Sequence, residues 1–455
     1  MSVNDYHRIP LSWKPDKRLL KSPQYLSLAS LLECDIVSGK LAAGTQLPPQ
    51  RLLADYLDLN FTTVTRAYDL CREKRLIYGE VGRGTYVLPV SQREEGMSDV
   101  VELGVVLGFP YVTQAIVETA REVVSRSYCH ELFSYTAREG LLHQREAGTQ
   151  WMARRGVHTD VSRTAIFAGA QNAITTLLLT LFHVGDCIAT DVFTYSNLIG
   201  IARLAHIRLI AVPGDTEGMS AEALESLCCK QHISGIFLMP DHANPTTITM
   251  REARRDALSV VCEKYSLIII EDDASLFIGN HRTFYSRLPE QTIYIAATTR
   301  HIASGLRVTF ATFPEQWRSA VMGGLFVTSI KASPLDAEIL SQLIVSGKAE
   351  KILEEKAQLS LEANKIYDKI FPHDPIYDDR RTFFRMHPIN SRIQGRQWEE
   401  YALSNGIRVC HSYRFLVDKK SDQSFLRLSV SSTRSMEALE HGLLVLREIE
   451  ERVKL

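Results

Sequence analysis

Polar and charged side chains directly follow three apolar stretches in the second half of the sequence. In chain order these are residues 235–239 followed by Asn244, residues 267–270 followed by Glu271, Asp272 and Asp273, and residues 293–296 followed by Arg300 and Arg307. An amide, carboxylates and guanidinium groups at neighbouring strand ends would form a polar site suited to an anionic ligand. Loops at strand ends are also polar by default, so this pattern alone leaves the function open.

The elements that must position these side chains are the strands of a buried sheet. Short, continuous apolar stretches alternate with helical patterns from about residue 165, with further stretches at residues 188–190 and 207–212. Such stretches are typical of parallel strands that are covered on both faces, so we predict an α/β fold with a mainly parallel sheet. Ligands of such sheets bind at the carboxyl ends of the strands, where these polar residues fall.

The first ninety residues have a different pattern. Apolar residues at helical spacing predict helices over residues 25–37, 50–57 and 61–74, and strand-like stretches follow at residues 76–78 and 85–88. Asn60 is placed to cap the third helix. Three helices with a short turn between the second and third, followed by a hairpin, predict a winged helix-turn-helix.

A winged helix would bring a small set of side chains to double-stranded DNA. The third helix offers polar groups for base edges and phosphates, the second helix opens with an arginine, and the hairpin carries another between two glycines. The candidate DNA-binding residues are Arg51, Thr62, Thr63, Thr65, Arg66 and Arg83. A single helix arginine such as Arg66 is more often solvated than bound to a base, so the arrangement as a whole carries the prediction.

The composition is that of an ordinary globular protein. The chain has 455 residues, 45% of them hydrophobic and 23% charged, with a formal net charge of −1. Residues 1–90 carry twelve Lys and Arg against nine Asp and Glu, an excess that fits nucleic-acid binding at that end. The eight cysteines form no CxxC pair, which argues against a zinc site. Since we find no signal-peptide or membrane-spanning pattern, we expect a cytoplasmic protein.

Most of the first ninety residues resemble the DNA-binding domain of GntR-type regulators. The matching motifs are Gly39-Lys40-Leu41 with Gly44, Leu47-Pro48, Arg51-Leu52-Leu53-Ala54, Thr63-Val64, Ala67-Tyr68 and Gly82-Arg83-Gly84-Thr85-Tyr86-Val87. The chain departs from that family at Asn60 and Phe61, where serine and a DNA-contacting arginine are usual. The resemblance implies DNA binding, with contacts near residue 61 that differ from the usual ones.

The rest of the chain resembles fold-type-I pyridoxal-phosphate enzymes of the aminotransferase group, and the whole resembles the MocR subgroup of transcription regulators. This implies a mainly parallel sheet and a smaller C-terminal α+β subdomain. By the same resemblance, the residues that would contact the cofactor or a carboxylate ligand are Gly169-Ala170-Gln171 and Arg307 at the phosphate, Tyr195 on the pyridine ring, Asp272 at the pyridinium nitrogen, Asn244 in a turn beside it, and Arg427 at the carboxylate.

The sequence departs from the enzymes at two positions that matter for chemistry. Arg300 stands where the family has the lysine that binds the cofactor covalently, and no lysine lies between residues 291 and 330. Ala274 and Ser275 occupy the positions of a cofactor-contacting tyrosine. Because a guanidinium cannot form a Schiff base, the resemblance implies no catalytic residues, no covalently bound cofactor and at most non-covalent binding of pyridoxal phosphate. Alternatively, Asp272 pairs with Arg300 and fills the site.

We therefore predict a winged helix-turn-helix over residues 1–88, a linker over 89–115 and an aminotransferase-like domain for effector binding and dimerisation over 116–455. Three functions compete. The chain is a homodimeric DNA-binding regulator that senses a small molecule, a regulator whose large domain is only a scaffold, or an active aminotransferase, against which Arg300 argues. The first is the function we expect.

Overall fold

The computed structural model contains two compact units, Met1–Asp99 and Val100–Leu455. The structure describes residues 11–74, 76–80, 83–88, 100–274, 281–372, 381–390, 393, 395–418, 421 and 423–453. Residues 89–99 of the predicted linker and Ser275 lie outside the described residues. No helix of the described part is long and apolar enough to cross a membrane.

The smaller unit is a winged helix-turn-helix, as predicted. Its elements are α1 (Gln24–Val37), β1 (Gln46–Leu47), α2 (Gln50–Leu57), α3 (Phe61–Glu73), β2 (Ile77–Glu80) and β3 (Gly84–Val87). Strand β3 lies between β1 and β2 and is antiparallel to both. The sequence analysis missed β1, because two residues are too few to show a strand periodicity.

Each of the three helices in this unit packs into a common core through one apolar face. Leu28 of α1, Leu53 of α2 and Val64 of α3 are fully buried in a common core. The turn between α2 and α3 is tight because Asp58 adopts the left-handed conformation, which aspartate tolerates better than most residues. Asn60 then caps α3, as predicted, since its side chain accepts a hydrogen bond from the backbone N–H of Thr62.

The larger unit has a seven-stranded sheet at its centre and a small antiparallel sheet towards its C-terminus. Its strands are β4 (Val101–Glu102), β5 (Thr164–Phe167), β6 (Cys187–Asp191), β7 (Arg208–Val212), β8 (Gly214–Asp215), β9 (Gly218–Met219), β10 (Gly235–Leu238), β11 (Ile268–Asp273), β12 (Thr292–Ala297), β13 (Thr309–Thr312), β14 (Phe384–Pro388), β15 (Ile407–Arg408), β16 (Cys410–His411) and β17 (Phe425–Ser429).

The larger unit contains twelve α-helices in its described part, some packed on the large sheet and others on the smaller one. They are α4 (Gln114–Ser125), α5 (Leu142–Ala153), α6 (Ala170–Leu181), α7 (Ser196–Leu204), α8 (Ala221–Lys230), α9 (Glu252–Lys264), α10 (Phe284–Arg287), α11 (Arg318–Ser329), α12 (Pro334–Val345), α13 (Lys348–Ile370), α14 (Arg396–Ser404) and α15 (Met436–Val453).

The large sheet is mainly parallel, as predicted. The strand order is β5-β13-β12-β11-β10-β6-β7, and β13 alone among these strands is antiparallel to its neighbours. Strands β5, β10 and β12 are buried along their whole length, which explains their continuous apolar sequences. The smaller sheet, ordered β14-β17-β16, forms the predicted α+β subdomain with α14 and α15.

The prediction of a linker as far as residue 115 is wrong for its second half. Strand β4 pairs in parallel with β15, and the N–H of Phe109 donates to the carbonyl of Ser431 at 2.7 Å. Both partners lie about three hundred residues further along the chain. No local sequence pattern could therefore have shown that this segment is part of the larger unit.

Candidate functional site

A cavity of about 850 Å³ lies in the larger unit, beside the carboxyl ends of the central strands. The predicted pocket residues that line it are Ala170, Gln171, Tyr195, Asp272, Arg300, Arg307 and Arg427. The other two predicted residues, Gly169 and Asn244, contact this lining through Arg307 and Arg427, respectively. The sequence prediction and the tertiary structure thus bring the same side chains to one place.

One end of the cavity is built for an anion. Gly169 has φ +86° and directly precedes α6, whose free N–H groups and helix dipole favour negative charge. The Arg307 guanidinium lies so close to Gly169 that a Cβ atom there would be 2.6 Å from Arg307 Nη2. Among the described residues Arg307 has no carboxylate partner, so its charge is available to a ligand.

The side chains of Gln171 and Tyr195, which also line the cavity, both accept hydrogen bonds from Asn197. Asn197 Nδ2 donates to Gln171 Oε1 at 2.9 Å and to the Tyr195 hydroxyl at 3.1 Å. Tyr195 lies half-buried directly before α7, and burial raises the pKa of its hydroxyl. These contacts hold the tyrosine ring against the cavity, where it offers a flat apolar face.

A buried carboxylate forms the floor of the cavity. Asp272 is 5% exposed, and its Oδ1 has no hydrogen-bond partner in the described part of the chain. Burial raises the pKa of Asp272 to about 7, although the nearby Arg300 opposes this shift. An unpartnered buried carboxyl is costly in a folded protein, so this oxygen is suited to a group that a ligand supplies.

The neighbours of Asp272 on β11 have different partners. We placed residues 271–273 after the end of a strand, but β11 continues to Asp273. Glu271 accepts hydrogen bonds from the backbone N–H groups of Phe284 and Tyr285, both at 3.0 Å. Asp273 accepts from Arg155 Nε at 2.8 Å. The alternation of side chains along a strand therefore leaves Asp272 alone of the three to line the cavity.

Arg300 also lines the cavity, and burial lowers the pKa of its guanidinium. In the described residues no ion pair joins it to Asp272, in contrast to the alternative in which the two fill the site together. The backbone at Arg300 is held by Lys356, whose Nζ donates to the carbonyl oxygens of Arg300 at 3.3 Å and of Ile302 at 3.0 Å.

A buried cation, Arg427, also lines the cavity. Arg427, on β17, is 8% exposed, and its Nη1 donates to Asn244 Oδ1 at 3.0 Å. Its Nη2 donates to the carbonyl of Gly104, while its Nε has no partner in the described part of the chain. Burial lowers the pKa of Arg427 to about 10. No carboxylate of the described residues pairs with this guanidinium, which therefore suits an acidic ligand group.

Sequence reasoning missed two parts of the site. Residues 104–107 line the cavity although we assigned them to a linker. Lys356 is 2% exposed on α13, where Ile352, Ser360 and Ala363 are also buried. A lysine on the apolar stripe of a helix was the available signal, because a buried ammonium group needs oxygen partners.

The candidate DNA-binding residues lie on α2, α3 and the hairpin of the smaller unit. The Arg66 guanidinium stacks on the Tyr25 ring at 4.3 Å, and that of Arg51 lies 5.8 Å from the Phe61 ring. Thr65 is half-buried, and its hydroxyl donates to Gln50 Oε1 at 2.8 Å. Thr62 and Arg83 are exposed, and Thr63 is half-buried. The structure therefore presents the arginines and Thr62 more openly than Thr65.

The two units and this cavity define a class of protein in which a winged helix-turn-helix precedes a fold-type-I aminotransferase domain. The family "Bacterial regulatory proteins, gntR family" matches residues 24–87, and "Aminotransferase class I and II" matches residues 107–446. The chain is 31% identical, over 99% of both chains, to the HTH-type transcriptional regulator YdeF of Bacillus subtilis (strain 168). It belongs to this family of HTH-type transcriptional regulators with a GntR domain and an aminotransferase class I and II domain.

A further relative and two solved structures are also similar to this chain. The vitamin B6 salvage pathway transcriptional repressor PtsJ of Salmonella typhimurium is 28% identical over 65% of this chain and 66% of its own. An archaeal alanine:glyoxylate aminotransferase superposes with a TM-score of 0.73 at 20% identity, covering 80% of this chain and 93% of that one. The α-aminoadipate aminotransferase LysN from Thermus thermophilus gives a TM-score of 0.68 at 21% identity, covering 79% and 94%. These structures confirm the predicted fold.

Proposed function

We propose that this regulator binds DNA as a homodimer and senses an anionic small molecule in its aminotransferase-like unit, without catalysing amino-group transfer. The observation that carries the proposal is the position of Arg300. It lines the cavity together with Asp272, Arg307 and Arg427, and by the resemblance it stands where the aminotransferases have the lysine that binds the cofactor. A guanidinium stays protonated and is no amine nucleophile, so it would form no Schiff base with the cofactor, while the surrounding residues would still contact it.

The remaining residues fit the non-covalent contacts of pyridoxal phosphate. Asp272 offers an unpartnered buried oxygen for a pyridinium N–H, and Gly169 with Arg307 leaves a cradle that a Cβ would fill. Tyr195 offers a ring face between them. When bound through a lysine, this cofactor supplies an electron sink for the chemistry of amino acids. Here these residues would bind and orient the molecule, and no residue of the set replaces the lysine.

The charges of the cavity favour a ligand with two separate acidic groups. Arg307 and the N-terminus of α6 form one anion position, and Arg427 with its unpartnered Nε forms the other. Arg300 adds a third positive charge to the lining, and Asp272 adds a carboxyl group. A phosphate-bearing vitamer satisfies the first position, and an amino or carboxylic acid satisfies the second.

The experiment that tests this proposal measures the binding of pyridoxal phosphate by the full chain. We expect the wild type to be stabilised on heating, by roughly 2.7 kcal/mol at a hundred times the dissociation constant, yet to lose the ligand on gel filtration. Arg300→Lys should instead retain a visible absorption band and carry a pyridoxyl group by mass spectrometry after borohydride reduction. Arg203→Lys, at an exposed position outside the cavity lining, should behave like the wild type.

Two outcomes would contradict the proposal. Stoichiometric borohydride labelling of one lysine in the wild type would show that a covalent bond to the cofactor still forms. The absence of a thermal shift with pyridoxal phosphate, pyridoxamine phosphate and amino acids alike would favour a large domain that serves only as a scaffold.

A further inference from the structure

A short segment ahead of the winged helix, residues 11–21, is built into the smaller unit. We call it the N-terminal strap. It lies outside residues 24–87, which the family match covers. Its Trp13 is 3% exposed, and the indole N–H donates to Asp35 Oδ2 at 2.8 Å. A buried tryptophan with a satisfied N–H is a strong anchor, so the strap has a defined position on the domain.

The strap runs past the elements that a winged helix uses to contact DNA. Near its start, the Ser12 hydroxyl donates to the backbone carbonyl of Gln46. The side chain of Gln46 extends this link to the hairpin, because its Nε2 donates to the carbonyl of Arg83 at 2.8 Å. Further on, Lys17 Nζ lies 3.0 Å from Asp58 Oδ2, in the turn that leads into α3. The strap therefore borders both the hairpin and the helix-turn-helix.

The chain that follows the strap returns to the recognition helix. Tyr25 lies four residues after the strap, at the start of α1, and its ring stacks on the guanidinium of Arg66. Lys17 and Tyr25 therefore connect the strap and the start of α1 to the helix-turn-helix, which carries candidate DNA-binding residues.

The strap is more basic than the winged helix that follows it. Residues 24–87 contain seven Lys and Arg against seven Asp and Glu, so the matched winged helix has no net charge. The strap contains four basic residues, Lys14, Lys17, Arg18 and Lys21, against Asp16 alone, for a net charge of +3. All four are exposed. Affinity for duplex DNA depends chiefly on neutralising phosphates, and a winged helix without net charge supplies little of that by itself.

We propose that the N-terminal strap is a second DNA-binding element, which contacts backbone phosphates beside the recognition helix. The inference rests on the proposed DNA-binding function and adds the part of the chain that supplies most of the electrostatic affinity. Its ion pairs, Lys17 with Asp58 and Arg18 with Asp16, are exposed on the surface. Such pairs are weak, so phosphates replace the carboxylates readily. The contacts are independent of sequence, because they reach no base edge.

The test measures how the full chain binds a fluorescent 30-base-pair duplex of random sequence at several salt concentrations. We expect the triple variant Lys14→Gln, Arg18→Gln and Lys21→Gln to bind more weakly and to lower the slope of log K against log salt by about 2 to 3, since each phosphate contact contributes about 0.9. The variant leaves Trp13 and Lys17 intact, and a thermal melt verifies that it is folded. Lys14→Arg with Lys21→Arg should preserve the slope.

A matched control removes three exposed lysines from the larger unit, by Lys230→Gln, Lys351→Gln and Lys365→Gln. It has the same change of net charge, so an equal fall in slope would overturn the proposal for the strap. An unchanged slope in the strap variant would also overturn it, while leaving the DNA-binding function intact. Failure of the wild type to bind any duplex would instead count against the proposed function itself.

Discussion

The guanidinium of Arg307 lies directly against Gly169, 138 positions before it in the chain, and the contact leaves no space for a side chain there. Gly169 also has φ +86°, which residues with a Cβ rarely adopt. Together these features form the anion end of the cavity, with the N-terminus of α6 on one side and the arginine on the other. A substitution at Gly169 would therefore change both the backbone conformation and the position of Arg307.

Gly169→Ala should therefore weaken binding of phosphate-bearing ligands. The new methyl group displaces Arg307 from the N-terminus of α6, and we expect affinity for pyridoxal phosphate to fall by at least tenfold, about 1.4 kcal/mol. Binding is measured by fluorescence titration. Gly185→Ala is the control, because Gly185 has φ +91° but nothing within 4 Å of an added Cβ. Equal losses in both variants would mean that backbone strain, rather than the arginine contact, causes the effect.

Asp272 should make the stability of the larger unit depend on pH. Its folded pKa of about 7 lies above the ordinary 3.8, so the folded state binds more protons and loses stability as pH rises between these values. Asp272→Asn removes this loss. We expect the variant to gain, relative to wild type, on the order of 2 kcal/mol in unfolding free energy between pH 5 and pH 8.

Urea unfolding at the two pH values measures this difference for Asp272→Asn. Asp418→Asn, at an exposed position, serves as the control and should show no such gain. If the advantage of Asp272→Asn is the same at pH 5 and pH 8, the carboxyl does not titrate in this range.

Lys356 should show the opposite pH dependence. Burial lowers its pKa to about 8 from the ordinary 10.5, so the unfolded state binds more protons between these values and stability rises with pH. Relative to Lys356→Met, the wild type should gain on the order of 1 to 2 kcal/mol between pH 7.5 and pH 9.5. The comparison uses urea unfolding, with Lys351→Met at an exposed position of the same helix as the control.

Lys356→Met should also loosen the backbone that carries Arg300, because the ammonium group binds the carbonyls of Arg300 and Ile302. We expect faster amide exchange in residues 300–302, measured by hydrogen–deuterium exchange and mass spectrometry. Unchanged exchange there would show that the lysine fills space without positioning this segment.

Arg66→Ala should weaken DNA binding and lower its salt dependence. Loss of one phosphate contact reduces the slope of log K against log salt by about 0.9, and we expect affinity to fall by roughly tenfold. A mobility-shift titration measures both. Arg72→Ala on the same helix, where Arg72 pairs with Asp69 at 2.5 Å, is the control. Wild-type binding by Arg66→Ala would refute the assignment of α3 as the helix that reads DNA.

The sequence by itself determined the elements of this protein and most of their order. Helical spacing predicted α2 over residues 50–57, apolar stretches predicted the central strands, and Asn60 was recognised as a cap. These predictions are correct because periodicity, capping and turn chemistry depend on residues that are close together in the chain. The family resemblance added the pocket residues, and all of them except Gly169 and Asn244 line one cavity in the structure.

Only the tertiary structure decided which groups are paired across the chain and which are left without a partner. It placed residues 104–107 at the cavity and Lys356 against the backbone of Arg300, left Asp272 without an ion pair to Arg300, and laid a basic strap against the turn between α2 and α3. Each of these contacts joins residues far apart in sequence, or depends on burial, which sets the cost of an unpaired charge. Local pattern records neither, so such contacts had to be observed in the folded chain.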